Sequence, residues 1–264
     1  MTTVRDVYDL LDKKAPFALQ ESWDNSGMLV GHWEQEVTHI FLTLDITPET
    51  IQEAEKLGCD LIVSHHPVIF NPVKQITSDN YDGQRLLLLT EYHIAAICCH
   101  TSLDASQGGV NDVLAEKCGL VGRTAVLEDW QADAQRTTGI GRVGELAEEM
   151  PLTEYLAFLK KQLQPNGIRF YDAGVPVKKV AVGGGSCGSM MGDAIRAGCD
   201  TFVTADLKYD HFLGAKGEGI NLVDAGHFPT ENPVMEVVEQ WLSAAFPTVK
   251  VTKSAGHQEV ISYG

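Results

Sequence analysis

The stretch that decides the fold is "VTHIFLTLDITPETIQEAEKLGCDLIVSHHP", residues 37–67. It opens on an apolar run with β character, residues 37–46. Thr47 follows as a helix N-cap, with Pro48 in the first turn, where no helical acceptor waits for an N–H. Residues 49–57 read as a helix that Gly58 ends, and residues 59–64 are the next strand. Strand, helix and strand in this order imply a parallel pair joined by a right-handed crossover. The stretch closes on His65 and His66 side by side. Neighbouring side chains on a strand point to opposite faces, so two adjacent imidazoles do not ordinarily serve one site. Pro67 biases His66 towards extended backbone and stops the strand, so the two rings can splay at its rim.

The same grammar returns in "KKVAVGGGSCGSMMGDAIRAGCDTFVTAD", residues 178–206. Gly58-Cys59-Asp60 recurs 140 residues later as Gly198-Cys199-Asp200, and at that offset Ala54 meets Ala194 and Val63 meets Val203. The third strands extend the match. Residues 93–104 end in His100-x-x-x-Asp104, and residues 219–231 end in His227-x-x-x-Glu231. Aligned strand, helix end and second strand together point to an internal duplication. The expected fold is α/β: two related α/β lobes of layered sheets and helices, residues 1–125 and 126–264, with strand ends facing a shared cleft. Ligands of open α/β sheets gather at the carboxyl ends of strands. The boundary is placed in the polar, then glycine-rich segment 123–146. "DNSGMLVG" (24–31) and "TTGIGRVG" (137–144) are read as a further repeated element.

A net charge of −16 argues against a nucleic-acid footprint, which needs clustered Lys and Arg, and against an anionic membrane surface. Residues 1–17 read as an amphipathic helix, with Thr3 and Asp6 as a capping box and Val4, Val7, Tyr8 and Leu11 on one face. They carry no signal-peptide core, and no apolar run is long enough to span a bilayer, so a cytoplasmic protein is expected. The six cysteines form no CxxC pair and read as reduced, buried small hydrophobes.

Four of the nine histidines stand at strand ends: His65, His66, His100 and His227, with the acids Asp104, Asp206 and Glu231. Imidazole with carboxylate suits zinc, iron or manganese. One ion takes three or four such ligands, so five candidates in twinned positions suggest two divalent ions. Each of His65 and His66 would then hold one ion, and a carboxylate such as Glu231 can bridge them. Asp104 has a rival reading as a helix-start residue. His100 stands as a ligand, an orienting partner or a proton donor, the last two preferred. Asp206, Lys208 and His211 form a second polar cluster; His39, His32, His93 and His257 read as solvated. "GGGSCG", residues 183–188, satisfies G-x-G-x-x-G, with Asp206 at 18 residues beyond it. It can be a dinucleotide loop, a backbone nest for an anionic substrate, or a plain tight turn.

"ESWDNSGMLVG" (21–31), "SHHP" (64–67), "HTSLD" (100–104), "TADLKYDH" (204–211) and "DAGHFPTE" (224–231) together resemble the Nif-three-like family, also called GTP cyclohydrolase 1 type 2 homologues or dinuclear metal centre hexameric proteins. The resemblance covers nearly the whole chain. It implies a dinuclear centre with His65, Asp104 and Glu231 on one ion and His66, His227 and Glu231 on the other. It further implies a toroidal homohexamer. The functional expectation is a metal-dependent hydrolase acting on a small, nucleotide-like substrate, with His100 or His211 shuttling protons. The alternative is a non-catalytic metal-trafficking or regulatory protein, and a third reading is a Rossmann-like nucleotide enzyme.

Overall fold

The computed structural model describes residues 1–131 and 136–264; part of the expected linking segment, residues 132–135, lies outside them. Along the chain run α1 (Val4–Lys14), β1 (Gly27–Val30), β2 (His39–Thr43), α2 (Pro48–Lys56), β3 (Leu61–Ser64), α3 (Tyr81–Glu91), β4 (Ala95–Cys98) and α4 (Thr101–Ala105). Then come α5 (Val110–Lys117), β5 (Leu120–Val126), β6 (Arg142–Met150), α6 (Leu152–Leu163), β7 (Arg169–Tyr171) and β8 (Val177–Val182). The chain ends with α7 (Met191–Arg196), β9 (Thr201–Thr204), α8 (Tyr209–Glu218), β10 (Asn221–Asp224), α9 (His227–Glu231), α10 (Val234–Ala245) and β11 (Lys250–Lys253). Two compact units result: residues 1–103 with 235–258, and residues 104–234 with 259–264.

The first unit holds a five-stranded sheet in the order β1-β4-β3-β2-β11. β11, β2, β3 and β4 are parallel, and β1 runs antiparallel to β4. Strands β2, β3 and β4 are buried on both faces, as continuous apolar runs in a parallel sheet require. Phe41, Ile51, Ile62 and Leu89 lie at the centre of one packed cluster. The expected capping box of α1 is formed: the Asp6 N–H donates to Thr3 Oγ1 at 3.3 Å, and the Thr3 N–H donates to Asp6 Oδ2 at 2.8 Å. Val4, Val7 and Leu11 are buried beneath it.

The second unit holds a six-stranded sheet in the order β5-β6-β8-β9-β10-β7. β8, β9 and β10 are parallel, whereas β5, β6 and β7 pair antiparallel. Its two apolar clusters cover the sheet, one built on Tyr155, Leu159 and Val180, the other on Phe202, Ala194 and Leu222.

The duplication holds down to hydrogen-bond register. Ile40 pairs with Leu61 and Val180 with Thr201; Leu61 pairs with Ala95 and Thr201 with Asn221. The repeated Gly-Cys-Asp explains why. Gly58 and Gly198 both sit at positive φ, +69° and +71°, the left-handed turn that closes a helix. The following cysteine N–H returns to the helix, Cys59 to the Ala54 carbonyl and Cys199 to the Ala194 carbonyl. The aspartate then accepts from the first N–H groups of the adjoining strand: Asp60 from Thr38 and His39, Asp200 from Lys178 and Lys179. Three residues thus end a helix, launch a strand and fix its neighbour.

The reading of residues 24–31 and 137–144 as copies is corrected. β1 lies beside the third strand of its repeat, β4, and the strand in the corresponding place is β7, beside β10. β6, which begins at Arg142, lies beside the first strand, β8. Its counterpart in position is β11, which is parallel where β6 is antiparallel. The resemblance of the two stretches is the shared need for glycine at sharp entries to a strand, Gly27 at φ +130° and Gly141 at +71°.

Candidate metal centre

In the first unit, parallel strands deliver their chemistry at one edge. β3 ends at Ser64, whose hydroxyl donates to the His66 carbonyl at 2.8 Å, while the His66 N–H donates to the Leu44 carbonyl at 2.9 Å. The strand proper ends at Ser64 and both histidines lie in the bend beyond it, so strict alternation no longer separates them. The two rings lie 4.9 Å apart, tilted by 50°. His100, just past β4, brings a third ring, 5.3 Å from His65 and 5.5 Å from His66. The ligand-type nitrogens of all three lie within 4.8 Å of one another.

Each ring is held through Nδ1. His65, fully buried, pairs with the Cys99 carbonyl at 2.8 Å; His66 pairs with Asp45 Oδ1 at 2.6 Å; His100 pairs with Asp24 Oδ1 at 2.7 Å. An imidazole whose Nδ1–H is committed to an oxygen presents Nε2 as its lone-pair atom, the usual outer bonding of a metal-ligating histidine. Asp45 also takes His257 Nε2 on its second oxygen at 2.8 Å. Burial pushes the Asp45 carboxyl up, but hydrogen bonds from His257 and His66 outweigh it and hold it well below the ordinary carboxylate range. Asp24 behaves alike. Burial raises it, and His100 and Thr101 pull it far down.

In the second unit, α9 sets His227 and Glu231 one turn apart on a single face. His227 Nε2 lies 2.9 Å from Glu231 Oε2, and its Nδ1 pairs with Asp206 Oδ2 at 2.7 Å. Asp206 sits at φ +53° just past β9, a left-handed position that Asp tolerates better than most residues and that aims its carboxylate at the imidazole. Its hydrogen bond to His227 holds its carboxyl below the usual range. Burial opposes protonation of His227, yet the Glu231 charge and the bonds to Asp206 and Glu231 lift it to about 11. Nε2 and a carboxylate oxygen thus face one another at a place that favours positive charge, which is cation-binding chemistry.

Asp104, buried at the end of α4, offers an oxygen within 4.8 Å of one from Glu231, itself 3% exposed. Two carboxylates so close and so shielded from water repel strongly unless positive charge lies with them. Asn111, fully buried, steadies the backbone beside this acidic pair: its Nδ2 donates to the Asp104 carbonyl at 3.0 Å, and its Oδ1 accepts from the Gly184 N–H at 2.9 Å.

Residues 183–188 make neither a phosphate loop nor a nest. A loop that cradles an anion points its N–H groups at the ligand. Here those of Gly183, Gly184, Gly185 and Cys187 donate to Val203, Asn111, Thr230 and Thr204. The glycines serve space instead. A Cβ on Gly185, at φ +61°, would stand 2.0 Å from Glu231 Oε1 and 3.1 Å from His227 Nε2. The loop is a cradle for the Glu231 carboxylate.

His211 Nδ1 accepts from the Lys208 N–H at 3.0 Å and closes the start of α8. Among the described residues it joins none of the His/Asp/Glu groups with metal-ligand spacing. Two histidines read as solvated are not. His39 is 6% exposed and bonded to the Leu57 carbonyl and Thr252 hydroxyl, and His257 is half-buried on Asp45. His32 and His93 are exposed. Sequence reasoning missed Asp24, Asp45 and Asn111 as orienting residues. The duplication carried a signal for one of them: at the 140-residue offset Asp45 meets Gly185 and His66 meets Asp206, so the copies diverge where donors are needed. All six cysteines are free, and all but Cys187 are buried. No helix among the described residues is long and apolar enough to cross a membrane.

The model of the family described as Duf34/NIF3 (NGG1p interacting factor 3) matches residues 2–259. A Clostridium perfringens protein named "GTP cyclohydrolase 1 type 2 homolog" is 35% identical over 238 residues, 90% of each chain. Among solved structures, a Bacillus cereus protein related to NIF3 superimposes with a TM-score of 0.92 at 24% identity, covering 100% of this chain and 99% of its own. A Staphylococcus aureus hypothetical protein does so with a TM-score of 0.89 at 28% identity, covering 99% of each chain.

Proposed function

The chain belongs to the Duf34/NIF3 family, and from that premise we propose that it binds two divalent ions and is a metal-dependent hydrolase of a small, nucleotide-like molecule. In this reading His65, Asp104 and Glu231 hold one ion and His66, His227 and Glu231 the other, with zinc, iron or manganese as the fitting metals. The observation that carries it is the pinning of Nδ1 in His65, His66, His100 and His227, which presents four Nε2 atoms of one tautomer. The second support is the buried Asp104 and Glu231 pair, an acidic arrangement that positive charge stabilises. Divalent ions held there would polarise an electrophile and lower the pKa of water.

The chain's own residues supply the rest. His100, fixed by Asp24 through Nδ1, can exchange a proton at Nε2. His211 accepts at Nδ1 and so carries its proton on Nε2, which leaves it a second candidate shuttle. The name shared by the relatives points to a purine nucleotide as the first substrate to try. A cytoplasmic homohexamer belongs to the same proposal and is tested by sedimentation of the native protein.

The deciding experiment is purification without chelator, elemental analysis per chain, and a screen of the metal-loaded protein against nucleotides and phosphoesters. His66→Ala should abolish any turnover while the chelated protein keeps its fold and cooperative unfolding, at a lower temperature because Asp45 loses one of its two histidine partners. Undiminished turnover in that variant would exclude hydrolysis at this centre. Ions that pass readily to an acceptor, with no turnover of any compound, would favour metal trafficking.

A further inference from the structure

Trp23 and Phe70 are large apolar side chains that the fold leaves in the open, 58% and 46% exposed. Their ring centroids are 6.0 Å apart at 61°, and each lies 6.1 Å from the His100 ring. Edge-to-face rings do not cover one another, so the three form a corner with ring faces available. Isolated exposed apolar residues need no explanation, but a contiguous aromatic group beside a polar centre does.

The corner is built, not loose. Asn25 Nδ2 donates to the Ile69 carbonyl at 2.6 Å and ties the loop of Trp23 to that of Phe70. Asp24, between Trp23 and Asn25, accepts from His100 Nδ1, the Thr101 N–H and hydroxyl, and the Ser26 hydroxyl. The Glu21 N–H donates to Thr101 Oγ1 at 2.9 Å. A preorganised aromatic surface loses little entropy when a ring stacks on it. The third member of the corner, His100, belongs to the imidazole group that the proposed centre uses.

We propose that Trp23 and Phe70, with His100, form a stacking subsite for a planar heteroaromatic ring of the small-molecule substrate, and so hold it beside the metal centre. This rests on the reading of the centre given above. Ring faces also attract cations, but divalent ions close by would repel a cationic guest. A neutral or anionic ring is therefore the occupant that fits.

The test uses the intact, chelated protein, so that stacking is read without the ions. Inosine and adenosine 5′-monophosphate serve as probes, ribose 5-phosphate as the ringless control, and binding is followed by calorimetry and by ligand-observed NMR. Both ring compounds should bind saturably and ribose 5-phosphate should not. Trp23→Ala and Phe70→Ala should each weaken binding about tenfold or more, Trp23→Phe less, and Trp33→Ala, at another exposed tryptophan, should leave it unchanged. Should Trp23→Ala fail to fold, Phe70→Ala and Trp23→Phe carry the same comparison. Absence of saturable binding by both rings, or equal binding by the variants, overturns the subsite. So does a fall in oligomer size in Trp23→Ala or Phe70→Ala, which would make the corner a contact between copies. Ring binding retained in a protein that takes up no zinc or manganese would sink the metal reading alone.

Discussion

Replacing Gly185 with alanine separates backbone strain from damage to the centre. Two substitutions share one cost: Gly185 and Gly198 both lie in the left-handed region, at φ +61° and +71°, where a Cβ costs about 1–2 kcal/mol. Only their surroundings differ. Nothing lies within 4 Å of a Cβ on Gly198, whereas a Cβ on Gly185 meets Glu231 Oε1 at 2.0 Å. Relief from 2.0 Å to an ordinary contact of 3.4 Å or more moves the carboxylate oxygen by about 1.4 Å, against a tolerance of about 0.2 Å in a metal–ligand distance. Gly185→Ala should therefore unfold within about 1 kcal/mol of Gly198→Ala when both are chelated. It should bind zinc at least about 100-fold more weakly, because it displaces a proposed direct ligand and not merely an outer partner. Competition with a chromophoric chelator gives the affinities, and urea unfolding gives the stabilities. Equal zinc affinity in the two variants would refute the cradle.

Other predictions rest on single side chains. Asp24, shielded from solvent, has a carboxyl held far below its unfolded value near 3.9, so its contribution is full above that value and is lost as pH falls through the lower folded-state one. Asp24→Asn should destabilise the chelated protein at pH 7 by about 2 kcal/mol or more, with the gap closing in strong acid; a gap independent of pH in urea titrations would contradict this. Asn111→Asp cannot donate to the Asp104 carbonyl while ionised, so it should cost about 2 kcal/mol at pH 8 and less at pH 5, where a neutral carboxyl restores the bond. Burial pushes Cys59, Cys99, Cys118 and Cys199 up to about 12 and raises Cys98 and Cys187 as well. Native protein at pH 8 should resist iodoacetamide at all six, and fast alkylation of any one, seen by intact mass, would count against the packing.

The repeated half of the fold was legible because one tripeptide does three backbone tasks, and those tasks fix β2 to β3 and β8 to β9 in one register. What lay outside the repeat was not. β11 joins β2 from the far end of the chain, and β6 joins β8 antiparallel, pairings that no periodicity within a segment signals. The histidines stood out because chemistry-bearing residues at strand ends are conspicuous. Their orienting partners did not: Asp45 is 21 residues from His66 and Asp24 is 76 from His100, distances only tertiary structure closes. His39 misled because a buried histidine looks like a surface one in sequence until its two hydrogen-bond partners are seen. The glycine loop misled in the opposite way. Its pattern fits a phosphate site, but its amides are spent on Asn111, Thr230 and Thr204.

The central claim is that the proposed centre joins His65, His66 and Asp104 of the first repeat to His227 and Glu231 of the second around two ions. The most direct measurement is an anomalous difference map from crystals soaked in zinc, collected on both sides of the absorption edge. Two peaks per chain are expected, both touching Glu231, one also His65 and Asp104, the other His66 and His227. No peak at these residues in well-ordered crystals, or a single ion held by surface groups elsewhere, would contradict the account.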